Sequence, residues 1–379
     1  MKIKTVGRLA EVAEDDWNGL VGEDGFYLSY DWLKYVEGEQ YERSRYLLCL
    51  DSGTLVGALV LNRIDNPFTP LYSPGRLSEL LEVDGGTLIA GATRGHRSAV
   101  LVAPSAANRG EVLAGLLREA SSLARQEGHK GIVLPFLTTS ALAEMASVAR
   151  VRAAFELPEA EITDCFTSLD AYYDRAPRKV RQRIREDRAK FARAGWTVRE
   201  RNLDDCVEET ARLVHSLRLK YGHQEQTQRE LEDALAGQAR TLASRSVVFT
   251  CEDESGIAGV IVCYKWRTTL YGRLAGFDYG RLRGASEYFN VTLYAPVQYA
   301  GKAGLRRYHL GVASWEAKAY RGARLRPLWS AFIPADGEKD GPGLDLINDA
   351  AARQWMADIA QRGIPVDEAE WRLVSPAAR

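Results

Sequence analysis

Two stretches of this 379-residue chain follow one plan, and that repetition restricts the available folds more than any single motif. In the first half, "RYLLCLDSGTLVGALVLNRI" places two strand-like apolar runs around Asp51-Ser52-Gly53, a hairpin signal. "RSAVLVAP" then reads as a buried strand, and "GEVLAGLLREASSLARQEGHKGIVLPF" as a helix ending at Gly128 followed by a strand. The second half repeats the order: "SVVFTCEDESGIAGVIVCYKW" is strand, acidic turn, strand, and "TTLYGRLAGF" is the next strand. "GASEYFNVTLYAPVQYAGKAG" is a helix that Pro296 should kink, and "RRYHLGV" is the strand after it. Gly259 follows Ile257 by two residues as Gly57 follows Leu55. Five elements in matching order predict an α/β protein made by duplication.

The expected boundaries are 1–165 and 166–379. Between the halves, residues 175–201 carry eleven Lys or Arg and three Asp or Glu. Val180, Ile184 and Phe191 fall on one helical face, which predicts a basic helix over 176–195, with Glu186 and Asp187 as local partners for its arginines. Helices are expected near Asp204–Tyr221 and Gln228–Ala243. A final amphipathic helix would align Leu344, Ile347, Ala351, Trp355 and Ile359.

An apolar content of 46% suffices for real cores, and 50 Lys plus Arg against 51 Asp plus Glu leave no global field to attract nucleic acid or membrane. Any such attraction must be local. Cys49, Cys165, Cys206, Cys251 and Cys263 are scattered without C-x-x-C spacing, which favours buried free thiols over disulfides or a zinc site. The opening "MKIKTVGRLAEVAEDDW" holds no apolar core of signal-peptide length, and no run approaches the ~18 apolar residues of a membrane span. The expectation is a soluble cytoplasmic protein without metal.

One turn concentrates glycine and positive charge: "FDYGRLRGASEYF", between a strand and a helix. Free amides at such a turn, helped by Arg281 and Arg283, can hold an anion such as phosphate. The Lys-Ser/Thr end of a P-loop is absent, and the hairpin before the turn is not the opening of a dinucleotide-binding βαβ unit. A solvated surface loop is the alternative.

Hairpin, strand, Arg-x-x-Gly-x-small turn, helix and strand resembles the GNAT superfamily of N-acyltransferases. That resemblance implies tandem GNAT-like (acyl-CoA N-acyltransferase) domains with mixed central sheets flanked by helices. It implies a donor site at Arg281, Arg283, Gly284, Ala285 and Ser286, where Ser286 replaces the preferred Gly or Ala. The N-terminal counterpart, "SAANRG", retains only Arg109 and Gly110, so that half is expected to be degenerate.

"FYLSYDWLKYVE", "PRKVRQRIREDRAKFARAGWTV" and the region from Tyr288 to Phe332 further resemble the bacterial Fem-like acyltransferases. The shared positions are Tyr294, Tyr299, Gly304, Leu305, Tyr308, Glu316, Lys318, Arg321 and Gly322, with Trp315 and Ala317 departing from the usual pattern. The resemblance implies transfer of an acyl or aminoacyl group to an amine in cell-wall, polysaccharide or natural-product assembly. The donor would be acyl-coenzyme A or aminoacyl-tRNA, with no permanently bound cofactor, and tRNA would be gripped by the basic helix Arg178–Arg193.

Amide formation needs a base for the attacking amine and donors for the developing oxyanion. Glu316, beside Trp315, is the first candidate base, and a carboxylate paired with Lys318 or Arg321 is the alternative. Asp278 and Tyr279 form a second acid–base pair, unless they only cap the turn. Acceptor contacts are expected from His223, Tyr271, Trp315 and Lys318, and His309 reads as a packed strand residue. Two other readings stay open: an aminoacyl-tRNA-dependent peptide-bond former and a non-catalytic ligand-binding protein of the same fold.

Overall fold

The computed structural model describes residues 1–39, 42–64, 70–163, 171, 172, 174, 176–223, 226–336 and 341–373. The chain forms two compact units, Met1–Pro158 with Arg326–Arg379, and Glu159–Leu325. The expected boundary at 165/166, like Cys165, lies outside the described residues. The last segment, expected in the second domain, belongs to the first unit.

Along the chain, the first unit contributes strand β1 (Lys2–Val6), helices α1 (Glu14–Leu20) and α2 (Tyr30–Glu37), and the hairpin β2 (Glu42–Asp51) and β3 (Thr54–Ile64). Helix α3 (Pro74–Leu80), β4 (Leu88–Ala90), β5 (Leu101–Val102), α4 (Arg109–Gln126), β6 (Gly131–Leu137) and α5 (Thr139–Ala146) follow. Strand β7 (Arg150–Ile162) runs across the boundary.

The second unit continues with the basic helix α6 (Arg178–Arg193), β8 (Thr197–Arg201), α7 (Val207–Lys220) and α8 (Gln228–Leu242). Next come β9 (Ser246–Asp253), β10 (Gly256–Trp266) and β11 (Thr269–Phe277). Helix α9 follows as Glu287–Phe289, a π-helical turn Asn290–Tyr294, and Ala295–Lys302. Pro296 has no N–H to give the helix, and the π turn directly before it absorbs the misfit where a kink was expected. The chain ends with β12 (Arg307–Gly311), α10 (Trp315–Ala319), β13 (Arg324–Pro334), β14 (Gly343–Leu346) and α11 (Asp349–Gln361).

The units share one topology. In the first, the strand order is β1-β2-β3-β4-β6-β13; in the second it is β8-β9-β10-β11-β12-β7. In each, the third hairpin-side strand is followed by a crossover helix and a parallel strand: Leu88–Ile89 with Ile132–Val133, and Thr269–Tyr271 with Arg307–His309. The sheet of each unit is completed by a strand from outside its own repeat, β13 from after the second repeat and β7 from the end of the first. Trp329–Pro334 of β13 runs antiparallel to β6, and Ala160–Ile162 of β7 antiparallel to β12. This exchange explains why the structural boundary differs from the sequence boundary.

The duplication extends to backbone irregularities. Cys49 pairs Gly57 and Cys251 pairs Gly259, and in both hairpins the register slips by one residue beside that pair. The skipped residues, Val56 and Ala258, each offer a carbonyl to the chain leaving the third strand: Ala103 N donates to Val56 O at 2.9 Å, and Asp278 N to Ala258 O at 2.8 Å. Glycine is required at both bulges, because a Cβ would sit 2.5 Å from Val112 Cγ1 at Gly57 and 2.5 Å from the Phe277 ring at Gly259.

Some elements differ from the sequence reading. The third strand of the first unit is broken in two, with Leu88–Ala90 supplying the half that pairs β6 and only Leu101–Val102 of "RSAVLVAP" in a strand. Leu344 lies in β14 against β7, and Ile347 precedes α11, so neither belongs to the terminal helix. Leu77, Leu81, Ile89, Val133, Ala154 and Phe332 form a buried cluster of the first unit. Cys49, Cys206, Cys251 and Cys263 are buried free thiols whose pKa values burial raises. Among the described residues no helix is long and apolar enough to cross a membrane, and no cluster of His, Cys, Asp and Glu could hold a metal.

Candidate functional site

The second unit carries a buried polar line of which its twin keeps one member, Asn62, at the position matching Tyr264. Directly paired residues of adjacent strands share a face, so Tyr264, Tyr271, His309 and Glu161 lie side by side across four strands. The Tyr271 and His309 rings are 5.2 Å apart. Glu159, two residues before Glu161 on the same face, has Oε2 2.6 Å from His309 Nε2. Tyr271, His309, Glu159 and Glu161 are all fully buried. His309 Nδ1 has no hydrogen-bond partner among the described residues. Arg307 adds a guanidinium 3.5 Å from Glu161. In the first unit the positions matching Tyr271, His309 and Glu161 are Ile89, Val133 and Phe332. Burying charge is costly unless it is paired, so a charged set in one copy and an apolar set in the other mark a position where packing alone does not dictate the residues.

Tyr271–His309 is also the last rung of the parallel ladder between β11 and β12. Beyond it β11 continues through Phe277 without further pairing to β12, so the ladder opens at the polar line. Leu310 is skipped where β12 pairs β7, between His309–Glu161 and Gly311–Ala160. Its freed carbonyl accepts from Lys318 Nζ at 2.7 Å, and Ala313 O accepts from the same ammonium at 2.6 Å. Lys318 is buried with no carboxylate partner among the described residues, and burial pulls its pKa from 10.5 to about 8. Two of its three N–H groups are used, which leaves one for a ligand.

Behind α10 lies a second polar cluster. Asp187, expected as a surface partner for its own helix, is buried. Its Oδ1 accepts from Ser286 Oγ at 2.8 Å, and its Oδ2 from Tyr294 OH at 2.6 Å and Arg321 Nε at 2.9 Å. Burial first, then the Asp187 contact, raises the Tyr294 pKa, so that hydroxyl remains a donor. Asp187 thus ties the basic helix α6 to α9 and to the end of α10. Arg178, Lys179, Arg185, Lys190 and Arg193 stay exposed on the other faces of α6.

The turn Asp278–Ser286 differs from an open anion cradle. The amides of Arg283 and Ala285 donate to Glu287 Oε1 and Oε2 at 2.7 and 2.8 Å, and Trp196 Nε1 donates to Oε1 at 3.1 Å. Arg281 and Arg283 both bind Asp253, at 2.6 and 2.5 Å. Arg281 also donates to Ile257 O and Gly256 O, and Arg283 to Ala194 O while stacking 4.2 Å from the Trp196 ring centroid. Burial opposes ionisation of Asp253, but the Ser255 amide, then Arg281 and Arg283, outweigh it and hold its pKa low. Gly284 takes a left-handed φ of 65° and Ser286 one of 60°, which bend the chain into α9. Of the groups expected to hold a donor phosphate, the Arg281 and Arg283 side chains, the Arg283 and Ala285 amides and the Ser286 hydroxyl are therefore engaged by the chain's own carboxylates.

The remaining expected residues are dispersed. Asp278 accepts from Gly280 N at 3.2 Å and faces Arg212 at 3.6 Å, the arrangement of a turn cap. Tyr279 is exposed, with Lys220 Nζ 3.2 Å from its ring centroid. Glu316 and Trp315 begin α10, half-buried. Lys318 and Arg321, the expected partners of Glu316, are committed to carbonyls and to Asp187 respectively. His223 is exposed after α7. Sequence reasoning misses Glu159, Glu161, Asp187 and Glu287. "FELPEAEI" holds the available signal: two glutamates alternating inside an otherwise apolar strand.

The FemAB-like family model, described as peptidoglycan biosynthesis/recognition, matches residues 93–341, well over half of the chain. No curated protein matches. Among solved structures, FemX is similar at 12% identity over 88% of this chain and 98% of that one, with a TM-score of 0.60. The C-terminal DUF2156 domain of a protein assigned as a lysylphosphatidylglycerol synthetase from Agrobacterium fabrum aligns over 93% of this chain and 97% of its own, at 14% identity and a TM-score of 0.55. L-PGS from Bacillus licheniformis matches at 11% identity over 79% and 90%, with a TM-score of 0.51. At these identities the likeness is one of fold.

Proposed function

This chain belongs to the FemAB-like family, and on that premise we propose that it transfers an acyl or aminoacyl group from an activated carboxyl donor to an amine acceptor. The observation that carries this reading is the unit-specific set of His309, Glu159 and Tyr271 where the β11–β12 ladder opens, with Lys318 beside it. The unpaired stretch of β11 offers main-chain hydrogen bonds to an extended acyl or peptidyl group. An amine attacking the donor carbonyl forms a C–N bond and pushes an electron pair onto oxygen. Lys318, with its spare N–H and a pKa near 8, donates to that oxygen. His309, with Nε2 held by Glu159, offers Nδ1 to take the proton the amine loses. Collapse of the oxyanion then expels the donor's leaving group, which takes up a proton.

Structural neighbours that include FemX and lysylphosphatidylglycerol synthetase domains support donors of the aminoacyl class and acceptors in cell-wall or lipid assembly. The exposed cations of α6 would then grip tRNA phosphates. Glu316 remains the alternative base, Trp315, His223 and Tyr271 remain acceptor-side candidates, and Asp278 retains a turn-capping role. The test is direct: purified protein is mixed with a charged tRNA pool or with acyl-coenzyme A, together with primary-amine acceptors that include peptidoglycan precursors. Mass spectrometry then reads for a new amide. Failure to form an amide with either donor would reject the reading.

A further inference from the structure

The filled turn bears on which donors this site admits. We propose that Glu287 is a specificity-determining residue: its carboxylate occupies the anion position of the Asp278–Ser286 turn and excludes donors carried on a diphosphate handle, such as coenzyme A. This rests on the transferase reading above and deepens it.

Glu287 is buried and satisfied by three N–H groups, the amides of Arg283 and Ala285 and the Trp196 indole. A phosphate drawing on those two amides would have to displace a buried carboxylate that no solvent compensates once it leaves. The two guanidinium groups that would neutralise a phosphate already share Asp253 and are capped onto backbone carbonyls. Amides and arginines are thus each matched by a chain carboxylate, Glu287 for the first and Asp253 for the second. A diphosphate brought here would meet two like charges. Two independent pairings of this kind in one turn describe an anion site closed from within. The donor's own handle must be held elsewhere on the protein.

The experiment is calorimetric titration of the full-length protein with coenzyme A and with inorganic diphosphate, for the wild type, Glu287→Ala and Glu287→Gln. Near-ultraviolet circular dichroism reports whether each variant keeps its fold, and the near-isosteric Gln variant carries the test if the Ala variant does not. The expected result is a wild-type Kd weaker than about 1 mM for both probes, tightened at least about tenfold in a folded variant. Micromolar coenzyme A binding by the wild type, competed by diphosphate and lost in Arg283→Gln, would overturn the proposal. So would a folded Glu287 variant that binds neither probe better than the wild type. Because binding is read without turnover, a protein that refuses coenzyme A yet transfers nothing defeats only the transferase reading. Acetyl transfer from acetyl-coenzyme A defeats only this one.

Discussion

Lys318→Met should make stability less dependent on pH, by an amount that follows from the burial of the lysine. In the folded chain Lys318 has a pKa of about 8 against 10.5 for the free side chain. The folded state therefore binds this proton more weakly than the unfolded state. The resulting penalty is fully present below pH 8 and is released as the pH rises toward 10.5. A shift of that size opposes folding by about 3 kcal/mol at pH 7 and by about 2 kcal/mol at pH 9. Met fills similar volume without a charge, so the wild type should gain about 1 kcal/mol over the variant between pH 7 and pH 9. Urea unfolding followed by tryptophan fluorescence at pH 7, 8 and 9 measures the difference. Parallel pH profiles for the two proteins would refute the claim that Lys318 is held in a desolvated site.

Other outcomes follow from the same interactions. Asp187→Ala strands the Arg321 guanidinium and the Tyr294 and Ser286 hydroxyls, and should cost about 3–5 kcal/mol in urea unfolding. Gly276→Ala would put a Cβ 2.4 Å from the backbone of Leu213 and Val214, and should cost about 1–3 kcal/mol, read as a lowered Tm. Replacing Arg178, Lys179, Arg185, Lys190 and Arg193 with Gln should weaken tRNA retention on filters and flatten its salt dependence by ~0.7 log units for each phosphate that is no longer neutralised. An unchanged salt slope would remove α6 from the RNA surface.

The repeated plan is readable because local chemistry records it: the apolar alternation of the hairpins, the turn residues between them, and the paired glycines 57 and 259 where each bulge admits no side chain. The exchange of β7 and β13 is not readable, since an apolar strand satisfies its pattern against either neighbour. Polar residues are harder still. Asp187 sits on a charged helix where periodicity assigns it to solvent, and a serine, a tyrosine and an arginine about 100 or more residues away draw it inside. Glu287 looks like an ordinary first-turn acid of a helix, yet it folds back onto the turn that the arginines suggest is open. His309 reads as a packing residue, and it is packed, but against Glu159 in a position its twin fills with valine.

The rate of a single transfer turnover, measured for the wild type, Lys318→Met and the pair Arg281→Gln and Arg283→Gln, tests the location of the chemistry most directly. The opened β11–β12 ladder as reaction site predicts a loss of about 10²–10³-fold in Lys318→Met and a near-normal rate in the double arginine variant. The reverse pattern, with the lysine dispensable and the arginines essential, would move the reaction to the turn and contradict the account.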